Sequence, residues 1–113
     1  MTMRKFEVWL ADLNPSFGTE AGKIRPIVIV QTDFLNGKHK STLICPITSK
    51  VKPKMRVISI HLSVGDAELD ANSDIMVDQI RSIDNTRFVK KIGELPPQYH
   101  NLLNQSLRDV MDL

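Results

Sequence analysis

Gly22-Lys23-Ile24-Arg25-Pro26-Ile27-Val28-Ile29-Val30 is the stretch whose reading decides the fold of this 113-residue chain. A permanent cation, Arg25, stands ahead of four branched apolar residues. An unbroken apolar run of that kind predicts a strand over 27–31 that is buried on both faces. Pro26 fixes its own φ and drives Arg25 toward an extended conformation. The guanidinium is therefore carried on a rigid element. Ahead of it lies a loop, 14–24, punctuated by Pro15, Gly18 and Gly22. Taken alone, an Arg before a Pro is an ordinary surface residue at a strand start, so its meaning depends on its neighbours.

Upstream, Glu7-Val8-Trp9-Leu10-Ala11-Asp12-Leu13 is rich in β-formers and is stopped by Asn14-Pro15, which predicts a first strand. Phe17 is the one large apolar residue of the loop, either an anchor tucked inward or a stacking face for a ligand. Downstream, 33–40 centres on Asn36-Gly37 and predicts a turn between antiparallel strands. A third strand follows over 42–48. Pro46 has no N–H to donate and belongs at an edge or near the end of that strand. After a break at 51–54, residues 56–62 alternate. Ile58, Ile60 and Leu62 fall on one face, and Val57, Ser59 and His61 on the other, giving a fourth strand with one side solvated. Residues 65–73 predict a polar loop with at most a short helical turn. Residues 75–83 predict one continuous fifth strand, Asp84-Asn85-Thr86 a turn, and 88–92 a last strand ending at Gly93.

Pro96-Pro97 suits the first turn of a helix. Tyr99, Leu102, Leu103, Ser106, Leu107, Val110 and Met111 then recur at three- and four-residue steps, an amphipathic stripe made for packing onto the sheet. Five or six short strands followed by one helix predict a mainly β fold with a C-terminal helix. Its form is a small antiparallel β-barrel or curled sheet.

The length fits one domain, 1–113. With 42% hydrophobic and 25% charged residues, the chain has the balance of a globular protein and not of a disordered one. Its apolar runs fall short of the roughly 20 residues of a membrane span. Met1-Thr2-Met3-Arg4-Lys5 has basic residues with no apolar signal region after them, so a cytoplasmic location is expected. Cys45 is the only cysteine and sits in the apolar run Leu43-Ile44-Cys45-Pro46-Ile47, where a buried, inert thiol is expected. His39, His61 and His100 are scattered, without metal-ligand spacing, and neither a metal nor a cofactor is expected. A net charge of +2 says little by itself. Lys50, Lys52, Lys54 and Arg56 form an acid-free cluster, which fits a phosphate-attracting patch or a solvated strand edge guarded by lysines.

The chain has no Gly-rich phosphate loop before a helix, no Gly-x-Ser-x-Gly and no plausible Cys/His pair. Polar residues gather instead at strand ends: Arg25, Thr48-Ser49, Asp78-Gln79 and Arg81. If antiparallel packing brings them together, they suit cleavage of an RNA phosphodiester. That reaction needs a base for the 2′-hydroxyl, an acid for the leaving 5′-oxygen, and donors for the extra transition-state charge. Arg25 can give two parallel hydrogen bonds to phosphate, and Thr48 one more. Preorganised donors of this kind are worth about 3 kcal/mol each. Asp78 is a candidate proton acceptor, although a carboxylate with an ordinary pKa of about 4 is a weak base. Each residue also has a plain reading. Thr48 can be an ordinary strand residue, Arg81 can pair with Asp84, and Gln79 can read a base edge or merely satisfy backbone.

Blocks of this sequence resemble the MazF/PemK toxin family. They are Glu7-Val8-Trp9-Leu10-Ala11-Asp12-Leu13-Asn14-Pro15, Gly18-Thr19-Glu20, Gly22-Lys23-Ile24-Arg25-Pro26, Ile47-Thr48-Ser49 and Asp78-Gln79-Ile80-Arg81-Ser82-Ile83-Asp84. Their order and spacing match over nearly the whole chain. The resemblance implies an SH3-like β-barrel of the MazF/PemK/CcdB type and a homodimer. It implies the toxin of a type II toxin–antitoxin system, a metal-independent, sequence-specific endoribonuclease that cuts single-stranded RNA, mRNA above all, by 2′-OH attack. It further implies a cognate antitoxin whose disordered acidic tail covers the RNA groove, and DNA binding together with that antitoxin.

By the same resemblance Arg25 and Thr48 are the leading catalytic residues, and Asp78 matches the base of the PemK-like branch. Phe17, Thr19 and Glu20 fall in the loop over RNA. Lys23, Ser49, Lys50, Lys52, Gln79 and Arg81 are the further RNA-binding candidates. Two positions depart from the pattern. Phe6 stands where the family often has Gly, and Met76 where the PemK-like branch has an Arg two residues before its acid. The second departure favours the Arg25/Thr48 scheme. Two rival readings are a non-enzymatic topoisomerase poison of the CcdB type on the same fold and an inactive family member.

Overall fold

The structure, a computed structural model, describes residues 2–52 and 58–113. In chain order its elements are β1 Glu7–Asp12, β2 Ile24–Ile29, β3 Ser41–Thr48, β4 Ser59–Leu62, β5 Ser73–Met76, β6 Arg81–Asp84, β7 Phe88–Glu94 and α1 His100–Met111. Short 3-10 turns occupy Asp66–Glu68, Val77–Gln79, Asn85–Arg87 and Pro97–Tyr99. All ladders are antiparallel, in the order β4-β5-β3-β2-β1-β7, with β6 also on β3. The described ladders leave the sheet open between β4 and β7, so it takes the curled form of the expected barrel.

The apolar run of β2 explains itself in the packing. Val28 and Val30 belong to a core that also takes Cys45, Ile47, Leu103 and Leu107. Ile27 and Ile29 belong to a second core with Trp9, Ile44, Ile83 and Phe88. One sheet thus separates two cores, and alternate residues of its central strand serve each. The strand begins earlier than expected, at Ile24, because Arg25 and Pro26 pair with Ala11 and Leu10 of β1. The ladder to β3 stops at Ile27, so the missing donor of Pro26 falls where β3 asks for none. Pro46 lies third from the end of β3, as its lack of an N–H requires.

The expected fifth strand, 75–83, is two strands. Ile47 pairs with Ile75, and Ile44, three steps back on β3, pairs with Arg81, six steps forward. Three residues too many must leave the ladder, and they form the Val77–Gln79 turn. The expected fourth strand is confirmed over Ser59–Leu62. Its first two expected residues, and Lys54 and Arg56 of the basic cluster, lie outside the described residues.

Helix α1 buries Leu103, Ser106 and Leu107, with Tyr99 and Val110 packed beside them. Leu102 and Met111 of the expected stripe are exposed, since the sheet beneath spans less than the full width of the stripe. No helix among the described residues is long and apolar enough to cross a membrane. Phe6 takes the left-handed φ of 73° that a Gly at that position would supply freely. Its N–H donates to Ile29 O at 2.8 Å, its carbonyl accepts from Leu95 N at 2.8 Å, and its ring stacks on His100 with centroids 3.8 Å apart.

Candidate active site

The β2–β3 ladder runs from the Ile29–Ile44 pair to the Ile27–Pro46 pair. Arg25 and Thr48 lie two residues beyond that last pair on each strand, and both line the same two clefts. Arg25 is half-buried, and its Nε donates to Gly22 O at 2.7 Å. That bond fixes the inner edge of the guanidinium and commits neither Nη. The carbonyl is itself held in place, because a Cβ on Gly22 would come within 2.7 Å of Ser16 Oγ and 2.8 Å of Ser16 Cβ. Lys23 adopts a left-handed φ of 68°, its N–H donating to Asn14 Oδ1 at 2.8 Å. Leu13 N donates to Lys23 O at 2.8 Å, and Arg87 Nη1 donates to Asp12 O at 2.9 Å and to Asn14 O, so both ends of the loop are tied. Thr48 is half-buried, and its Oγ1 accepts from Lys50 N at 3.1 Å, which leaves the hydroxyl proton to donate elsewhere.

Arg25 and Thr48 open onto a cleft of about 380 Å³, with Thr19 and Ala21 of the loop on one wall and Asp78 and Gln79 on another. Lys50 and Lys52 add positive charge to it. Asp78 is exposed, carried out of the ladder by the Val77–Gln79 turn. Of the two readings of Gln79, the structure shows the backbone one. Its Oε1 accepts from Ala21 N at 3.2 Å and its Nε2 donates to Thr19 O at 3.0 Å, clamping the loop over the cleft. A second cleft, of about 620 Å³, shares Arg25, Thr48 and Lys50 and adds Lys23 and Ser49. Arg25 and Thr48 therefore stand on the divide between two depressions.

The remaining expected residues are less closely gathered. Glu20 Oε1 accepts from Phe17 N at 2.9 Å and shapes the tip of the loop. Phe17 is 72% exposed, so it is not tucked inward as an anchor. Arg81 pairs with Ile44, four residues back along β3 from Thr48, and lines neither cleft. Its Nη1 is buried with no hydrogen-bond partner among the described residues. Asp84 does not serve it, the Oδ1 of Asp84 accepting instead from Thr86 N at 2.9 Å. Burial, reinforced by the charge of Asp78, pushes the Cys45 thiol up to about 12, as an inert core cysteine requires. Among the described residues no three of His, Cys, Asp and Glu meet in a metal-holding group.

Sequence reasoning missed Asp74 and His61. Thr48 pairs with Asp74, and Asp74 pairs with His61, so the Thr48 level of the sheet continues across two more strands. Asp74 is 4% exposed. Its Oδ2 accepts from Lys52 N at 2.9 Å, and its Oδ1 lies 3.1 Å from His61 Nδ1. The alternation of β4 places His61 opposite the core residues Ile60 and Leu62, but no single-sequence signal gives the β4–β5 register that joins it to Asp74.

Residues 4–111 match the family described as PemK-like, MazF-like toxin of type II toxin-antitoxin system. The chain is 31% identical over 105 residues to the Endoribonuclease MazF of Staphylococcus saprophyticus, covering 93% of this chain and 88% of that protein. The crystal structure of MazF from Deinococcus radiodurans superposes with a TM-score of 0.85 at 21% identity, covering 100% of this chain and 99% of the other. An endoribonuclease of a mycobacterial species, solved in complex with its cognate antitoxin, superposes with a TM-score of 0.77 at 17% identity, over 99% of this chain and 95% of that one. With the family matched over nearly the whole length and the fold shared, the chain belongs to the PemK-like, MazF-like toxins of type II toxin–antitoxin systems.

Proposed function

We propose that this toxin is an endoribonuclease that cuts single-stranded RNA, mRNA above all, at a short sequence by attack of a 2′-hydroxyl on the adjoining phosphodiester. The observation that carries the reading is Arg25 and Thr48, on the neighbouring strands β2 and β3, lining one basic cleft. In the reaction the O2′–P bond forms and the P–O5′ bond breaks. The 2′-hydroxyl loses its proton to Asp78, and the leaving O5′ takes one from the Arg25 guanidinium, which solvent then reprotonates. Arg25, anchored by Nε, uses its two Nη groups on the phosphate oxygens as charge builds there and supports the departing oxygen. Thr48 donates its hydroxyl to the same phosphate. Asp78, in the same cleft, is the acceptor for the 2′-hydroxyl proton. The position two residues before it, Met76, also lines the cleft and supplies no cation, so that task falls to Arg25. The scheme uses protein groups alone.

Unpaired bases can be splayed and stacked, which suits Phe17 at the loop tip and a shallow groove. Lys23, Lys50 and Lys52 add salt-dependent attraction for the backbone. The same lysines suit the acidic tail of a cognate antitoxin, which silences the site by occupying it. The functional form is a homodimer of single domains, 1–113, acting in the cytoplasm where its substrate is. The test is incubation of the purified protein with a long mRNA in EDTA, followed by mapping of the new 5′ ends. Cuts at one recurring short sequence, each leaving a 5′-hydroxyl, are expected. Intact RNA overturns the reading, and stalled gyrase alongside it marks a topoisomerase poison instead.

A further inference from the structure

The row of residues at the level of Thr48 does not stop at the cleft. Through Asp74 it reaches His61 on β4, an edge strand. The two strand steps from Thr48 to His61, at about 4.8 Å each, span about 10 Å. The cleft of Arg25 and Thr48 is continuous with a neighbouring cleft of about 510 Å³, the two sharing Lys52, Ser59 and Asp74. His61 lines that neighbour, and its side chain is 43% exposed.

Asp74 is placed to orient rather than to bind. Its buried carboxylate spends one oxygen on the backbone of Lys52 and the other on His61 Nδ1. The imidazole is thereby held by one nitrogen, with Nε2 on the side away from Asp74. With Nδ1 turned to the carboxylate, Nε2 is left to meet a ligand in the cleft. Lys52 adds a cation beside it, and Asp109 of α1 is the opposing acid on the far wall.

We propose that His61, oriented by Asp74, is a further RNA-binding residue that holds a backbone phosphate flanking the scissile one, on the side of Thr48 away from Arg25. The inference rests on the endoribonuclease reading of the Arg25–Thr48 cleft and extends its substrate track. His61 contacts the strand without entering the bond-breaking step, so it acts on affinity and not on turnover.

The test compares wild-type protein with His61→Asn and His61→Lys. Asn keeps a donor near the Nδ1 position for Asp74 and removes Nε2, whereas Lys supplies a cation. The probe is a fluorescent oligonucleotide of a mapped cut sequence with 2′-deoxyribose at the attacking position, so that it binds and is not cut. At pH 6, His61→Asn is expected to bind about tenfold more weakly. Its kcat on the all-RNA version stays within about twofold, as expected of a group that binds substrate and transition state alike. The slope of log affinity against log salt becomes shallower by about 0.7, the value for one lost phosphate contact on a single strand. His61→Lys, which restores a cation that can reach a phosphate, binds about as tightly as wild type. A merely structural role for the His61–Asp74 pair would leave the salt slope unchanged. If wild type cuts RNA and His61→Asn binds with the same affinity and salt slope at pH 6, the inference is overturned while the nuclease reading stands. Failure of wild type to cut any RNA overturns both.

Discussion

Arg25 Nε donates to the carbonyl of Gly22 at 2.7 Å, and Arg25 and Thr48, two residues beyond the Ile27–Pro46 pair on neighbouring strands, line the same two clefts. The geometry of the proposed catalytic pair thus depends on one strand register and one loop carbonyl. Register is hard to disturb without unfolding the sheet, since a one-residue slip would exchange its two cores. The loop carbonyl is the adjustable part.

Gly22→Ala disturbs that part alone. Its new Cβ would press on Ser16 Cβ at 2.8 Å, so loop backbone must shift and carry the Gly22 carbonyl with it. A displaced guanidinium lowers kcat by roughly tenfold or more, because misplacements near 1 Å are costly in a preorganised site. Removing the obstructing atoms with Ser16→Gly in the same chain restores most of the rate. Steady-state cleavage of a short RNA by the single and double variants checks this, and a double variant as slow as Gly22→Ala would separate the carbonyl from catalysis.

Phe6 gives a stability prediction free of the active site. An L-residue at φ 73° carries roughly 1 kcal/mol of strain, which the stack on His100 offsets. Ala at this position keeps the strain and loses the ring, and Gly loses both. Phe6→Gly should therefore be more stable than Phe6→Ala by about 1 kcal/mol in urea unfolding. The reverse order would mean that the backbone there is not left-handed.

Glu7 predicts a pH dependence. Burial acts to raise its pKa, but hydrogen bonds from Trp9 Nε1, Lys91 Nζ and Arg4 N outweigh it and hold the carboxyl below its ordinary 4.5. A carboxylate with a depressed folded-state pKa stabilises the protein above its unfolded pKa, and that contribution is lost as pH falls through the folded value. Glu7→Gln should cost roughly 1–3 kcal/mol at pH 7. The gap from wild type should narrow steadily below about pH 4.5. Unfolding of both proteins between pH 3 and 7 measures it. A gap that persists unchanged to pH 3 would contradict the charged network.

Much of this was legible in the chain, and the exceptions share a physical cause. The run Ile27-Val28-Ile29-Val30 announced a strand buried on both faces, and the structure divides those residues between two cores. Thr19, Arg25, Thr48, Asp78 and Gln79 converge on one cleft although they are spread over sixty residues of sequence. The break at Val77–Gln79 was missed because Ile75 and Met76 before it and Ile80 and Ile83 after it supply apolar side chains, and only the pairing partner reveals the three-residue excess. His61 and Asp74 were missed for the same reason. They are thirteen residues apart, and only the β4–β5 register makes them neighbours. Gln79 was visible as a site residue but its task was not, since its partners are backbone groups of a distant loop.

The most direct measurement of the central claim is cleavage of a defined single-stranded RNA by purified Arg25→Ala, beside Arg25→Lys and wild type, with circular dichroism to show that each is folded. The account predicts that Arg25→Ala loses at least about 10²-fold in rate with an unchanged spectrum, and that Arg25→Lys, which keeps the charge but not the paired Nη donors, falls between. A folded Arg25→Ala that cuts as fast as wild type would contradict it.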